Sequence, residues 1–322
     1  MALVSGTTHT YNQAGLREDL YDIISNISST EVPFQTGIDK RGAKARYHEW
    51  LNDTLAAATN NAQLEGDDAA YTTAVTVTRM GNYNQIHRKS FLISGTLEAV
   101  DKAGRKSEVK YQLMKAGKEV MRDLEVALTN NNTGSAGGAA TARTMTGAEA
   151  FIPSTDNGGN GIRMSDTGST TSFGGTHLVT DGTDVAMTST KLLNAIQLAW
   201  TDGGDIDTIM TNTGPRARIR TFGNLATNQI QLNSGGEATK LIDGVEIYVT
   251  DYGKHKLVLN RFVRNKTALV LDMSTWCLAT LRPMTTETLA KTGDAEKRQI
   301  IMEATLVCKN PDANSKVSDC SS

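Results

Sequence analysis

Between Ala103 and Thr129 the apolar residues Val109, Leu113, Ala116, Val120, Leu124, Ala127 and Leu128 recur every three or four positions, the period of one helix face. Lys110, Lys118, Arg122 and Glu125 fill other faces. The spacing predicts one long amphipathic helix, about 40 Å at 1.5 Å per residue, with Val109, Leu113, Val120 and Leu124 in its core stripe. A stripe of that length must be covered along its whole extent, so the rest of the 322-residue chain has to supply a surface to match it.

The C-terminal region offers that surface. Ala268–Asp272, Trp276–Leu281 and Gln299–Lys309 read as strands, and in the last one Ile300, Met302, Ala304, Leu306 and Cys308 share a face at period two. These strands are expected to pack on the long helix. At the other end, Leu16, Leu20, Ile23, Ile24 and Ile27 predict a short amphipathic helix, which the Ser28–Phe34 segment ends as Pro33 pushes Val32 toward an extended conformation. An N-terminal arm follows from this.

Extended patterning at Ala45–Leu51, Thr73–Arg79 and Gln85–Ser94, around a polar, alanine-rich stretch from Thr54 to Ala70, reads as a long hairpin arm. A lone ribbon is marginal in water, so this one must lie against its own domain or another subunit. Residues 130–183 are rich in Gly, Ser, Thr and Asn and read mostly as loop. Beyond them Thr188 or Ser189 can cap a helix through Trp200 that Gly203-Gly204 ends; a strand follows at Ile206–Met210, and Pro215 suits the first turn of a helix from Arg216 to Phe222. Val245–Val249 and Lys256–Leu259 read as two more strands. Helices mixed with strands make an α+β fold.

Several function classes are excluded or unsupported. Lys+Arg 33 against Asp+Glu 35 gives a net charge of −2, so contact with nucleic acid must be local or weak. No apolar stretch approaches the eighteen residues of a spanning helix, and the start Met1-Ala-Leu-Val-Ser-Gly lacks a secretory pattern, so no membrane partner and a cytoplasmic origin are expected. Cys277, Cys308 and Cys320 form no C-x-x-C and read as small buried hydrophobes. Ser107-x-x-Lys110 and Lys291-Thr-Gly293 copy two of three elements of the penicillin-binding enzymes, but no Ser-Asp-Asn or Tyr-x-Asn lies between them. The five histidines are scattered without metal-ligand spacing, and no phosphate loop or dinucleotide fingerprint is complete. No catalytic, cofactor-binding or metal-binding residue is assigned, and no cofactor is expected. The basic clusters at Lys40-Arg41 to Arg46, Arg216/Arg218/Arg220 and Arg261/Arg264/Lys266 lack interleaved aromatics and read as solvated faces or subunit salt bridges.

The order of segments resembles that of tailed-bacteriophage major capsid proteins, and the wording is similar too: Leu16-Arg-Glu-Asp-Leu-Tyr-Asp-Ile-Ile, Glu31-Val-Pro-Phe34, His48-Glu-Trp50, Asn61-Ala-Gln-Leu-Glu-Gly66, Ser94-Gly-Thr96, Ala103-Gly-Arg-Lys-Ser-Glu108 and Leu289-Ala-Lys-Thr-Gly-Asp294. The resemblance implies the capsid fold shared by tailed phages and herpesviruses: an N-arm (1–42), an extended loop (43–94), a peripheral domain built from a spine helix (95–130) and C-terminal strands with a tail (262–322), a connector (131–179) and an axial domain (180–261). It implies a virion protein, made in the bacterial cytoplasm, whose hexamers and pentamers tile an icosahedral shell around packaged double-stranded DNA. A non-viral encapsulating shell of the same fold is the alternative.

The implied partners are further copies of the chain, the portal, a separate scaffolding protein, a cement protein and, weakly and without specificity, DNA. Some relatives cross-link through a lysine on the extended loop, but Thr54–Tyr71 contains none. Phe34, Trp50, Leu51, Leu55 and Leu64, apolar residues on or near arms with no evident core of their own, are the candidate subunit interface.

Overall fold

The computed structural model describes residues 29–53, 55–68, 71, 77–153, 162–163, 169–173, 176–222 and 247–321. The helix read at Leu16–Ile27 lies outside them. In chain order the elements are α1 (Pro33–Gly37), β1 (Asp39–Gly42), β2 (Tyr47–Asn52), β3 (Thr78–Tyr83), β4 (Gln85–Ser94), α2 (Gly95–Ala99), α3 (Glu108–Thr129) and α4 (Ala148–Phe151). Then come β5 (Ile162–Arg163), β6 (Ser169–Phe173), β7 (Thr176–Thr180), α5 (Ser189–Thr201), β8 (Thr208–Thr211), α6 (Thr213–Arg220), β9 (Ile247–Thr250) and β10 (Gly253–Leu259). The chain closes with β11 (Ala268–Leu271), β12 (Trp276–Thr288), β13 (Ala295–Cys308) and β14 (Ser315–Ser318).

Local chemistry sets the helix starts. The Ser107 hydroxyl accepts the Lys110 N–H and opens α3, Thr188 does the same for Lys191 at α5, and the Asn212 side chain caps α6 with Pro215 in its first turn. The long helix therefore begins at Glu108 rather than Ala103, because Gly104 has turned into the left-handed region (φ 75°) just before the cap.

Four strands, in the order β1-β12-β13-β4, form the sheet beneath α3. Along β13 the face read from the sequence, Ile300, Met302, Ala304, Leu306 and Cys308, meets Ala116, Val120, Leu124, Ala127 and Leu128 of α3 in one core, closed by Trp276, Leu278 and Phe34. Val109 is buried near the start of α3, whereas Leu113 is half-buried at the edge of this core. The second sheet runs β5-β14-β11-β8-β10-β9. Its strands β8 and β11 alternate between two cores: Met210, Leu269 and Leu271 join the α3 core, while Ile209, Ala268 and Val270 pack with Leu192, Ala195, Ile196 and Ala199 of α5 and Ile219 of α6. Period two thus buries both strands on both faces and ties the sheets together.

The structure corrects several expectations. The segment Gln85–Ser94 is not part of the hairpin arm: β4 pairs with β13 over its whole length, and the hairpin is β2 with β3, registered from Tyr47↔Tyr83 to Asn52↔Thr78. β1 and β4, read as parts of the arm and the extended loop, are strands of the α3 sheet. The loop-like stretch from residue 130 contains α4 and β5–β7. Glu125, read as lying on a face other than the apolar stripe, is itself fully buried.

Candidate assembly surface

The hairpin stands on the α3 sheet through side chains at its base. Asn82 Nδ2 donates to Leu306 O (2.8 Å) and Thr146 O (3.2 Å), and Asn84 Nδ2 donates to Ala45 O (2.6 Å). Trp50 and Met80 pack on the α3 core, and the Trp50 ring lies 6.1 Å from that of Phe151. Gly81 leaves room for the Tyr47 ring, whose nearest atom is 2.6 Å from where a Cβ would stand, and Tyr47 in turn meets Tyr83 with ring centres 4.5 Å apart.

Beyond this footing the described residues of the loop lie in solvent. Residues 55–68 are exposed throughout, with Leu55 98% and Leu64 79% exposed, and Leu51 on the outward side of β2 is 67% exposed. The tip turns at Gly66 (φ 83°). It carries Glu65, Asp67 and Asp68, and no Lys or Arg occurs from residue 53 to 78. Large apolar side chains and a run of carboxylates share this one solvent-exposed segment.

Of the residues read from the sequence as an interface, Leu51, Leu55 and Leu64 are exposed on this projection and Trp50 sits half-buried at its root. Phe34 is elsewhere: it is 0% exposed, edge-on to Trp276 at 5.8 Å within the α3 core, and is not available to a neighbour.

Two buried carboxylates escape a reading by periodicity. Glu125 accepts from Phe34 N (2.8 Å), Gln35 N (2.9 Å) and Asn260 Nδ2 (2.6 Å), joining the start of α1, the long helix and the segment after β10. Glu149 Oε1 accepts from Arg264 (3.0 Å) and Thr267 (2.9 Å), while buried Lys316 donates to the Glu149 carbonyl (2.7 Å). Burial pushes both carboxyls up, against the pull of these donors. Their partners are structural groups at segment junctions.

The enzyme-like fragments resolve into ordinary parts. Ser107 is the α3 cap, and Lys291–Gly293 lies in the exposed turn between β12 and β13, where Thr292 accepts from Lys297. All three cysteines are buried free thiols, and burial pushes Cys320 up to about 12. Among the described residues no group of three or more His, Cys, Asp or Glu could hold a metal, and no helix is long and apolar enough to cross a membrane.

A long helix on one sheet, a second sheet tied to it through a common core and an exposed hairpin make up the fold. Solved capsids share this fold. The structure is similar to the cyanophage A-1(L) capsid asymmetric unit (TM-score 0.65, 13% identity, 95% of this chain and 98% of that one) and to the capsid of a native GTA particle (TM-score 0.65, 8% identity, 98% and 100%). It is also similar to a phage G structure containing gp27 major capsid proteins and gp26 decoration proteins (TM-score 0.53, 10% identity, 99% of both chains). In sequence it is 26% identical to the major capsid protein of Escherichia phage Phieco32, over 95% of this chain and 94% of that one. Residues 3–321 match the SU10 major capsid protein family, and the chain belongs to it: this is a phage major capsid protein, the subunit of the icosahedral shell of the virion.

Proposed function

We propose that the protein builds its shell through hexamers and pentamers, that the shell encloses packaged double-stranded DNA, and that its role is structural rather than catalytic. The observation carrying this reading is the acidic projection at residues 55–68, whose Leu55 and Leu64 stand almost fully in solvent. Covering two leucines is worth about 1.5–3 kcal/mol each, and a heterologous contact repeated around a ring is gained by every subunit at once. The arm is the donor side of such a contact, and the neighbouring subunit is the acceptor. Assembly takes place in the bacterial cytoplasm, with a separate scaffolding protein, a portal and a cement protein as further partners.

Nuclease-treated particles test the proposal. Negative-stain microscopy is expected to show closed shells with five- and six-fold capsomers, and extraction to yield protected double-stranded DNA. Rods, fibres or a stable monomer under every salt and scaffold condition would overturn it.

A further inference from the structure

One side of α3 is buried and the other faces solvent. On the solvent side Lys110, Lys115 and Lys118 are exposed and Arg122 is half-buried. At 3.6 residues per turn these four cations lie within an arc of about 140°, and the stretch from 110 to 122 spans about 18 Å. The acids nearest the stripe are buried or sit at its border: Glu108 is buried against Arg105 and Gln112, Glu119 lies 3.9 Å from Lys115, and Asp123 is engaged by Lys89 at 2.8 Å.

Helix stability does not account for this placement. Cations are favoured near a helix C-terminus, where they meet the negative end of the macrodipole. Here Lys110 stands in the first turn, Lys106 is exposed just before the cap, and the last turn carries no basic residue. That end of the helix is already met by acids, Glu98 Oε2 accepting from the Glu108 N–H (2.9 Å) and Glu108 itself standing in the first turn, so the cationic feature is the run of exposed lysines along the rod rather than the helix terminus.

The surface also lacks what other partners need. Met114, 65% exposed, is the large apolar side chain that the stripe presents to solvent, which is little apolar area for a protein interface. Tyr111 holds Arg105 over its ring at 5.4 Å and offers no free platform for a base. Long cationic side chains on a rigid rod, without stacking groups, suit a phosphate backbone read without regard to sequence.

We propose that this face of α3 is where the subunit meets the phosphates of the enclosed double-stranded DNA. The inference rests on the shell reading above and assigns the DNA-facing element within it.

The test uses the full-length protein and a fluorescent duplex of arbitrary sequence, with anisotropy followed across salt concentration. Wild type is expected to bind weakly, with log affinity falling linearly as log salt rises. In the triple variant Lys110→Gln, Lys115→Gln, Lys118→Gln the slope is expected to become shallower by about 3, at roughly 0.9 for each phosphate no longer neutralised. Its low-salt affinity falls on the order of 10-fold. Glutamine is a good helix former, so melting by circular dichroism stays close to wild type. Lys40→Gln with Lys44→Gln, at exposed bases outside α3, keeps the wild-type slope.

Unchanged slope and affinity in the triple variant overturn the proposal. So does loss of closed shells with DNA binding intact, which assigns the face to subunit contact, and so does stronger competition by polyglutamate than by duplex of equal charge, which assigns it to an acidic protein. The binding assay needs no assembly, so wild-type protein that binds duplex yet never closes shells would sink the shell reading instead.

Discussion

Glu125 and Glu108 are the two buried acids of α3, and helical spacing alone does not separate Glu125 from the charges of the helix that face water. Its environment does, because α1 and the Asn260 segment close over it and present three donors. Glu125→Ala leaves those donors buried without an acceptor, at about 1–3 kcal/mol each, against a total stability of about 5–15 kcal/mol. We expect a melting temperature lower by on the order of 10 °C and faster amide exchange at Phe34 and Gln35; unchanged exchange there would show that the carboxylate does not hold the arm. A second buried group gives a pH dependence. His87 lies on β4 with its Nε2 buried and unpartnered, and burial holds its pKa below 6.5, with Asp123 pulling weakly the other way. A folded value below the unfolded one contributes stability that is present above the unfolded pKa and lost as pH falls through the folded value. His255 is shifted in the same direction by burial, while the raised carboxyls of Glu125 and Glu149 gain stability as pH falls. Comparing His87→Val with wild type at pH 7 and pH 5 isolates the one group: the variant should lose less of its melting temperature on acidification. Equal losses would assign the acid sensitivity elsewhere.

Within α3 the apolar stripe is graded, and the gradation is testable. Leu124 is fully buried in the core it shares with β13 and Trp276, so Leu124→Ala should cost about 2–5 kcal/mol and Leu124→Asp should abolish soluble folding, since an unpaired buried charge is worth as much as the whole fold. Leu113 is half-buried, so Leu113→Ala should cost less than half as much; chemical denaturation that ranks the two alanine variants the other way would move the core off this stripe. Helix periodicity and the single face of β13 were legible in the sequence because each depends on neighbours a few residues apart. The pairing of β4 with β13 was not, since Ile86 faces Glu303 and Ile93 faces Glu296 across some two hundred residues, and alternation announces a strand without naming its partner. Phe34 was misplaced for the same reason. A single apolar residue after Pro33 has no period, and its partners Trp276 and Leu124 are distant in sequence. Leu55 and Leu64 were legible as surface residues because the polar stretch around them offers neither period, so no core could claim them.

At the scale of the whole molecule, folding and assembly draw on different parts of the chain, and the projection allows them to be separated. The footing of the hairpin, through Trp50, Met80 and Asn82, belongs to the subunit's own core. Residues 55–68 touch that core nowhere and are exposed along their length. Their removal therefore takes little from the monomer, and closing the gap with a short Gly-Ser turn changes loop entropy by well under a few kcal/mol, because that cost grows only with the logarithm of length. The assembled shell stands differently. Each subunit gives up the same two leucines and the same acidic tip, and in a closed ring every interface is weakened together, so a deficit of a few kcal/mol per interface multiplies across the particle. Replacing residues 55–68 with such a turn should leave the circular dichroism melt within a few degrees of wild type while closed shells disappear from gradients and negative-stain fields. Wild-type shells from this variant would remove the projection from the interface, and an unfolded monomer would return it to the subunit's own core.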